Sequence, residues 1–409
     1  MSSSSSLSSS SHVIDLTNED EEKLEEDYSC RGGGGKRPRL NTIKELEKEK
    51  LIPHCPQPFY LLKSDYPSST NNENCISMQD VLSSEDNNPI ECVVLFNYMV
   101  DISWLIDTIP LLATIPCYCY HGSSQADFAE AHRMLPLFTA AKVHVSVAYG
   151  THHSKMGLIF YKNGLRLFIA TNNLIPVDNT FKTQGIYVRD FPLRTSEEVQ
   201  RNVLKKDLEF DFEYNLKSYL EEVRVAIECS SFERASVKLS EICTTLLPRY
   251  DFSSANVLLV ASVPGHHAKD QLWKYGHMRM RRIFGRFPSP AGFEDTHSSL
   301  VMQVSSLGSM GKEGKALAEI ISSFTTAAAS SSSSSSSFSF FASSSSPAVK
   351  VELVWPTVES VRSSDQGYPA GRSICCNTDV MFYTSLWSFF TFHCFCIADS
   401  LHEGKESQV

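Results

Sequence analysis

The first residues are a serine run rather than an apolar stretch, so the sequence gives no expectation of secretion or of a disulfide framework. Reduced thiols in an intracellular compartment are the expectation. The 12 cysteines are scattered, several inside apolar runs, and no C-x-x-C pair is followed by a second pair or a histidine set. Zinc, and any other bound metal, is therefore not expected. A positive excess is also lacking: the formal net charge is -10, which taken alone argues against a nucleic-acid partner. Long apolar runs are nearly absent. The one run of bilayer-spanning length, Val380–Ala398, is interrupted by Thr, Ser and His and is rich in aromatics rather than Leu. A membrane anchor is not expected from it, whereas an exposed, aggregation-prone tail is.

The chain has 409 residues, of which 42% are hydrophobic, enough for two or three domain-sized units around a large core. The net charge misleads, because acids concentrate in Glu19–Asp27 while basic residues cluster elsewhere. Arg279-Met-Arg-Arg with Arg286, preceded by Trp273-Lys-Tyr-Gly-His, would give a helix a basic face towards phosphates, or an ordinary solvated face. Residues 1–57 are serine-rich, then acidic, then Gly-rich and basic, the composition of a disordered tail. Within it, Val13-Ile-Asp-Leu-Thr followed by acids resembles a SUMO-interacting motif, which adds a strand to a sheet edge and meets a basic rim. Lys36-Arg-Pro-Arg resembles a nuclear localisation signal, so the nucleus is the expected compartment. Ala327–Ser346 is a poly-serine insertion of the kind a surface loop tolerates.

Strand-like runs fall at Glu91–Phe96, Ala113–Tyr120, Val143–Ala148, Gly157–Tyr161, Leu165–Ala170 and Asn256–Ser262. Helix-like segments fall at Phe128–Leu137, in part of Ser196–Ala226, and at Phe232–Leu246. The alternation predicts an α/β fold with helices packed on a sheet.

The chemistry concentrates in Gly150-Thr-His-His-Ser-Lys-Met-Gly-Leu-Ile-Phe-Tyr, Ala170-Thr-Asn-Asn-Leu-Ile and Lys182-Thr-Gln-Gly. His153 precedes Lys155 by two residues, and in extended backbone such residues share a face. An imidazole is a nucleophile and acid/base near neutral pH, and an ammonium beside it can hold a phosphate oxygen. A polar turn, Lys162-Asn-Gly, leads to a second strand-like run ending at Asn172 and Asn173, whose amides can reach the same pocket. A bare H-x-K pair on a surface hairpin is common, so the surrounding residues carry the reading.

Those surroundings, Gly150–Gly185, closely resemble the first catalytic motif of the tyrosyl-DNA phosphodiesterases, a branch of the phospholipase D superfamily. The ordinary superfamily motif has an Asp shortly after the Lys. Here Leu158, Ile159 and Phe160 stand there, and the tyrosyl-DNA branch also lacks that Asp. The resemblance extends to Phe59-Tyr60-Leu61, to Leu95-Phe96-Asn97-Tyr98 with Asp101 and Trp104, and to Gln303-Val-Ser-Ser-Leu-Gly-Ser-Met-Gly. It continues through Val354-Trp-Pro-Thr-Val-Glu-Ser-Val-Arg and Gly367-Tyr-Pro-Ala-Gly, running from Pro58 to Ser373. It implies a mixed sheet sandwiched by helices, the first phospholipase D-like half complete and the second truncated. It also implies His153 as nucleophile with Lys155, Asn173 and Gln184 completing the half-site, and DNA contacts from Tyr98, Tyr149, Ser306 and Ser309. The implied domains are 58–250 with the catalytic half-site, 251–373 with the DNA-contact loop and poly-serine insertion, and a divergent tail over 374–409. The implied chemistry is cofactor-free hydrolysis of the 3′-phosphodiester joining DNA to tyrosine, with DNA 3′ ends and a topoisomerase I-derived peptide as partners. SUMO or sumoylated proteins are partners implied by the tail.

The family completes its pocket with a second H-x-K beyond the Gly-Tyr-Pro-Ala-Gly segment. After Gly371 the histidines are His393 and His402, neither followed by a lysine two positions on, and His267-Ala-Lys269 lies elsewhere in a turn. General acid–base help is worth about 10²–10⁴-fold, so slow turnover is the expectation. A DNA-end-binding protein without catalysis and a lipid phosphodiesterase are the alternatives. The absent Asp and the Ser/Gly loop argue against lipid.

Overall fold

The computed structural model describes residues 58–63, 75–122, 133–145, 147–148, 150–195, 208–228, 233–287, 299–303, 315–325, 350–354, 357–364, 366–373 and 396–397. All of them lie in the unit Lys50–Val409.

Eight strands make one mixed sheet: β1 (Phe59–Leu62), β2 (Cys75–Ile76), β3 (Ile90–Asn97), β4 (Cys117–His121), β5 (Phe138–Lys142), β6 (Met156–Tyr161), β7 (Gly164–Ala170) and β8 (Gly185–Pro192). Their order is β2-β1-β8-β7-β6-β3-β4-β5. Strands β6 and β8 run against their neighbours, whereas β3, β4 and β5 run parallel to one another. The carboxyl ends of β3, β4 and β7 and the amino ends of β6 and β8 therefore share one edge of the sheet. The tight turn expected at Lys162-Asn163 is present, with Tyr161 opposite Gly164.

The helices are α1 (Met78–Val81), α2 (Ile102–Thr108), α3 (Pro176–Thr180), α4 (Phe212–Glu228), α5 (Glu233–Glu241), α6 (Gly276–Arg286), α7 (Lys315–Thr325) and α8 (Val358–Arg362), with α1 and α2 on one face of the sheet and α4 and α5 on the other. Each central strand divides its side chains between two cores, as a period of two requires. Val94, Phe96, Leu158 and Phe160 pack under Phe212, Leu216, Tyr219, Leu220, Val223 and Ile227 of α4. Val93, Leu95, Ile159 and Tyr161 pack against Met78, Val81, Ile102 and Leu105 on the other face. Burial on both faces explains why β6 reads as an unbroken apolar run and β7 as one interrupted only by Arg166. Local signals place the short helices. Ser77 and Asp80 form a reciprocal capping box at α1, and Asp101 caps α2 by accepting from the Trp104 N–H at 3.0 Å.

Arg166 on β7 is fully buried, bonded to both carboxylate oxygens of Asp190 on β8 (2.7 and 3.1 Å) and to the Val81 carbonyl (3.0 Å). Beyond the sheet, β9 (Val257–Leu258) pairs antiparallel with a two-residue strand at Cys396–Ile397. β10 (Ser299–Gln303) pairs in parallel with β11 (Lys350–Val354), α7 lying between them in sequence.

Four elements differ from the sequence expectation. The strand expected at Val143–Ala148 lies upstream, at Phe138–Lys142, because that is the segment in register with Cys117–His121. The alternation Val143, Val145, Val147 imitates a strand, but the Val147 carbonyl accepts from the Gly150 N–H at 2.9 Å and closes a turn. The strand expected from Ala113 starts at Cys117, since Pro110–Ala113 forms a 3₁₀ turn. The run Asn256–Ser262 contributes only Val257–Leu258, its first residue being held at φ 50°. The described part of the helix expected at Phe128–Leu137 is helical only at Arg133–Met134. Strand β8 was not anticipated, although it pairs with β7 along its whole length.

The basic helix face is not free. In α6, Arg282 bonds both carboxylate oxygens of Glu209 (2.7 and 3.1 Å), and buried Arg279 donates to the Glu209 carbonyl (2.7 Å) and lies over Phe210. Arg281 bonds Ser322 of α7. Three of the four arginines of this face are thus engaged within the protein, Arg279 buried and Arg282 at the surface.

Candidate active site

Lys155 ends the segment that enters β6, and its carbonyl accepts from the Ala170 N–H at 2.8 Å. The register of β6 against β7 thus brings the histidine–lysine pair beside the Thr171-Asn172-Asn173 turn. The two side chains expected to share a face do so, with Lys155 Nζ 3.1 Å from His153 Nδ1 and donating to the His153 carbonyl at 3.0 Å. The Tyr98 ring lies 4.6 Å from the imidazole, centroid to centroid. This approach needs Gly122 after β4: a Cβ there would stand 2.9 Å from the Tyr98 ring and 2.1 Å from the His152 carbonyl.

Adjacent His152 turns the other way. It is 3% exposed, 6.3 Å from the Phe96 ring, and its Nε2 has no hydrogen-bond partner among the described residues. Burial, and then the neighbouring Lys155, His153 and His121, push its pKa down to about 3, so it stays neutral. Of the two histidines, His153 is the one placed beside the lysine. Lys155 itself is 4% exposed; burial pulls its pKa down to about 8, against the opposing pull of Asp178.

Asn173 is fixed from two sides. Its backbone N–H and its Nδ2 both donate to Asp178 Oδ2 at 2.8 Å, and its Oδ1 accepts from the Met99 N–H at 3.4 Å. The Tyr98-Met99 dipeptide beyond β3 therefore touches both His153 and Asn173. Asn172 is buried and donates to Asn179 Oδ1 at 2.8 Å; Asn179 in turn donates to the Asn173 and Ile175 carbonyls at 2.8 Å. Gln184 is half-buried just before β8, and its Oε1 accepts from the Thr171 hydroxyl at 2.5 Å. It joins the site through the turn between β7 and α3, with no bond to the histidine or lysine among the described contacts.

The structure thus gathers Tyr98, His153, Lys155 and Asn173, with Gln184 at the margin. Tyr149, Ser306 and Ser309 lie outside the described residues, as do the motifs of residues 1–57 and most of 374–409. His267 and Lys269 do not form a second pair like the first: His267 Nε2 lies 2.7 Å from the Val263 carbonyl and Lys269 is exposed with φ 53°. Sequence reasoning missed Asp178 and Asn179. A signal was present, since Pro176 marks the first turn of a short helix and an acid follows within that turn. Among the described residues, no group of three or more His, Cys, Asp or Glu is placed to hold a metal ion, and no helix is long and apolar enough to cross a membrane.

The family model for tyrosyl-DNA phosphodiesterase matches residues 58–393, beginning where the sequence resemblance begins and ending beyond Ser373. Tyrosyl-DNA phosphodiesterase 1 of Arabidopsis thaliana is 32% identical over 322 residues, covering 78% of this chain and 49% of the relative. A probable tyrosyl-DNA phosphodiesterase of Caenorhabditis elegans is 29% identical over 307 residues, covering 74% of this chain and 60% of the relative. The chain therefore spans about half to three fifths of the length of these relatives. The crystal structure of the yeast tyrosyl-DNA phosphodiesterase superposes with a TM-score of 0.54 at 16% identity, covering 76% of this chain and 68% of that one, and shares its phospholipase D-like fold. The chain belongs to the tyrosyl-DNA phosphodiesterase family.

Proposed function

We propose that this chain carries a phosphodiesterase half-site acting on the 3′-phosphodiester between DNA and tyrosine. The observation that carries the reading is the contact of His153 Nδ1 with Lys155 Nζ beside a pinned Asn173 amide. His153 Nε2 attacks phosphorus, forming an N–P bond as the P–O bond to the tyrosyl group breaks. The departing phenolate takes a proton from a general acid or from water. Attack by Nε2 needs the ring proton on Nδ1, so Lys155 passes its hydrogen bond from the ring to a phosphate oxygen when DNA binds. There its charge offsets that of the crowded phosphoryl oxygens. Asn173 Nδ2, which has one hydrogen committed to Asp178, offers the other to the same phosphate. Tyr98 braces the imidazole and lines the approach for the strand; Gln184 supplies a further polar contact beside the turn.

Water then hydrolyses the phosphohistidine and leaves a 3′-phosphate on the DNA. Both this step and protonation of the phenolate call for a second acid/base. In the family pattern described above a second H-x-K pair fills that role. Further proposals follow from the sequence: nuclear residence, DNA 3′ ends and a topoisomerase I-derived peptide as partners, contacts from Tyr149, Ser306 and Ser309, and recognition of SUMO by residues 13–17.

The test is incubation of the chain with a 3′-phosphotyrosyl oligonucleotide in EDTA, followed by gel analysis. Release of a 3′-phosphate end supports the complete cycle. A trapped protein–DNA adduct supports the first half-reaction alone. DNA binding with neither outcome would sink the catalytic reading in favour of a DNA-end-binding protein.

A further inference from the structure

We propose that Asp178 is the positioning residue of this half-site, orienting the Asn173 amide towards the phosphate; the inference rests on the functional reading above. In the strand that follows Lys155, the residues Leu158, Ile159 and Phe160 are buried and apolar, so no carboxylate reaches the site from that strand. One arrives from elsewhere. Asp178 sits in the first turn of α3, only 3% exposed, with both oxygens engaged. Oδ2 accepts from the Asn173 backbone N–H and from Nδ2, each at 2.8 Å, and Oδ1 accepts from Lys182 Nζ at 2.7 Å.

The chemistry of a carboxylate makes this contact directional. An ionised carboxylate only accepts, so the carboxamide is stable one way round, Nδ2 towards Asp178 and Oδ1 towards the Met99 N–H. The reversed amide would set oxygen against oxygen and nitrogen against a backbone donor. A neutral amide at position 178 has no such preference, because it can offer either group. The backbone bond to Asn173 fixes the start of the turn as well as its side chain. Lys182 balances the buried charge, which would otherwise be costly. The same carboxylate opposes the burial that discharges Lys155. Asp178 thus serves two groups that meet the phosphate while touching no phosphate itself.

The test uses Asp178→Asn in the full chain, read in two ways. The first is the side-chain amide spectrum of Asn173 by ¹⁵N–¹H NMR. The expected result is loss of the shifted Nδ2 signal with the remaining backbone spectrum retained. The second is the single-turnover rate of adduct formation on the 3′-phosphotyrosyl oligonucleotide. It should fall about 10²-fold, as loss of alignment does, while the Kd for that DNA changes less than about threefold. If Asp178→Asn does not fold, the wild-type chain suffices: a scalar coupling across the hydrogen bond should link Asn173 Nδ2 to the Asp178 carboxyl carbon. An Asn173 signal unchanged by the substitution, or absence of that coupling in the wild-type chain, overturns the proposal. So does a rate loss that matches the loss of folded fraction. The amide spectrum reads out even if the chain performs no phosphodiester chemistry, so failure of the functional reading and failure of this inference remain separate.

Discussion

Lys155 is held in the folded chain against its own solvation, and its removal should show this. The side chain is 4% exposed, and burial lowers its pKa from 10.5 to about 8, with Asp178 pulling the other way. At about 1.4 kcal/mol per pKa unit, keeping that charge in place costs about 3 kcal/mol at neutral pH. Below pH 8 the lysine is protonated in both folded and unfolded chains, and the cost is whole. Between about 8 and 10.5 the unfolded lysine keeps its proton while the folded one has lost it, so stability rises with pH. Above that window the cost is gone. Lys155→Met keeps the length and removes the charge, at the loss of hydrogen bonds to His153 worth about 1 kcal/mol. The variant should therefore be about 2 kcal/mol more stable than wild type at pH 7, a gap that narrows from about pH 8 and has vanished or slightly reversed by about pH 10.5. Its adduct formation should fall by about 10²-fold or more, since the charge facing the phosphate is lost. Urea unfolding followed by circular dichroism at the two pH values measures the gap. A variant less stable than wild type at pH 7, or a gap that does not change with pH, would refute the reasoning.

Three further perturbations follow. A Cβ at Gly157 would stand 2.1 Å from the Phe168 ring on β7, so Gly157→Ala should cost about 1–3 kcal/mol in urea unfolding, and Phe168→Leu should relieve part of it. Asp190→Ala strips the buried Arg166 of its bidentate partner and should lower stability by about 3–5 kcal/mol, seen as a lower urea midpoint at unchanged slope. Tyr98→Phe should leave the adduct rate within about twofold of wild type, because the ring braces His153, whereas Tyr98→Ala should slow it about tenfold; equal losses in both would place the hydroxyl on the DNA instead.

Much of the site was legible because its residues are close in sequence. Extended backbone puts His153 and Lys155 on one face, and the two-residue turn at Lys162-Asn163 brings the following asparagines back beside them. Central strands β3, β6 and β7 were legible for a similar reason, their apolar runs being long and buried on both faces. What escaped depends on distant partners. Strand β8 carries Arg189 and Asp190, which break its apolar pattern, and Asp190 makes sense only once Arg166 is seen opposite it. The strand at Val143–Ala148 was misplaced because alternation there serves a turn, while Phe138–Lys142 is chosen by its parallel partner. Asp178 was missed because its role is to hold Asn173, a contact that composition does not announce. The arginines of α6 looked like a phosphate patch because Glu209, which engages them, lies in a different segment.

The most direct test of the account is to find where DNA becomes attached. The chain is mixed with a 3′-phosphotyrosyl oligonucleotide in EDTA, quenched at neutral to alkaline pH to preserve phosphohistidine, digested, and mapped by mass spectrometry. The account predicts phosphodeoxynucleotide on His153, lost in His153→Ala while DNA binding persists. Cleavage that survives His153→Ala, or an adduct on another residue, would contradict it.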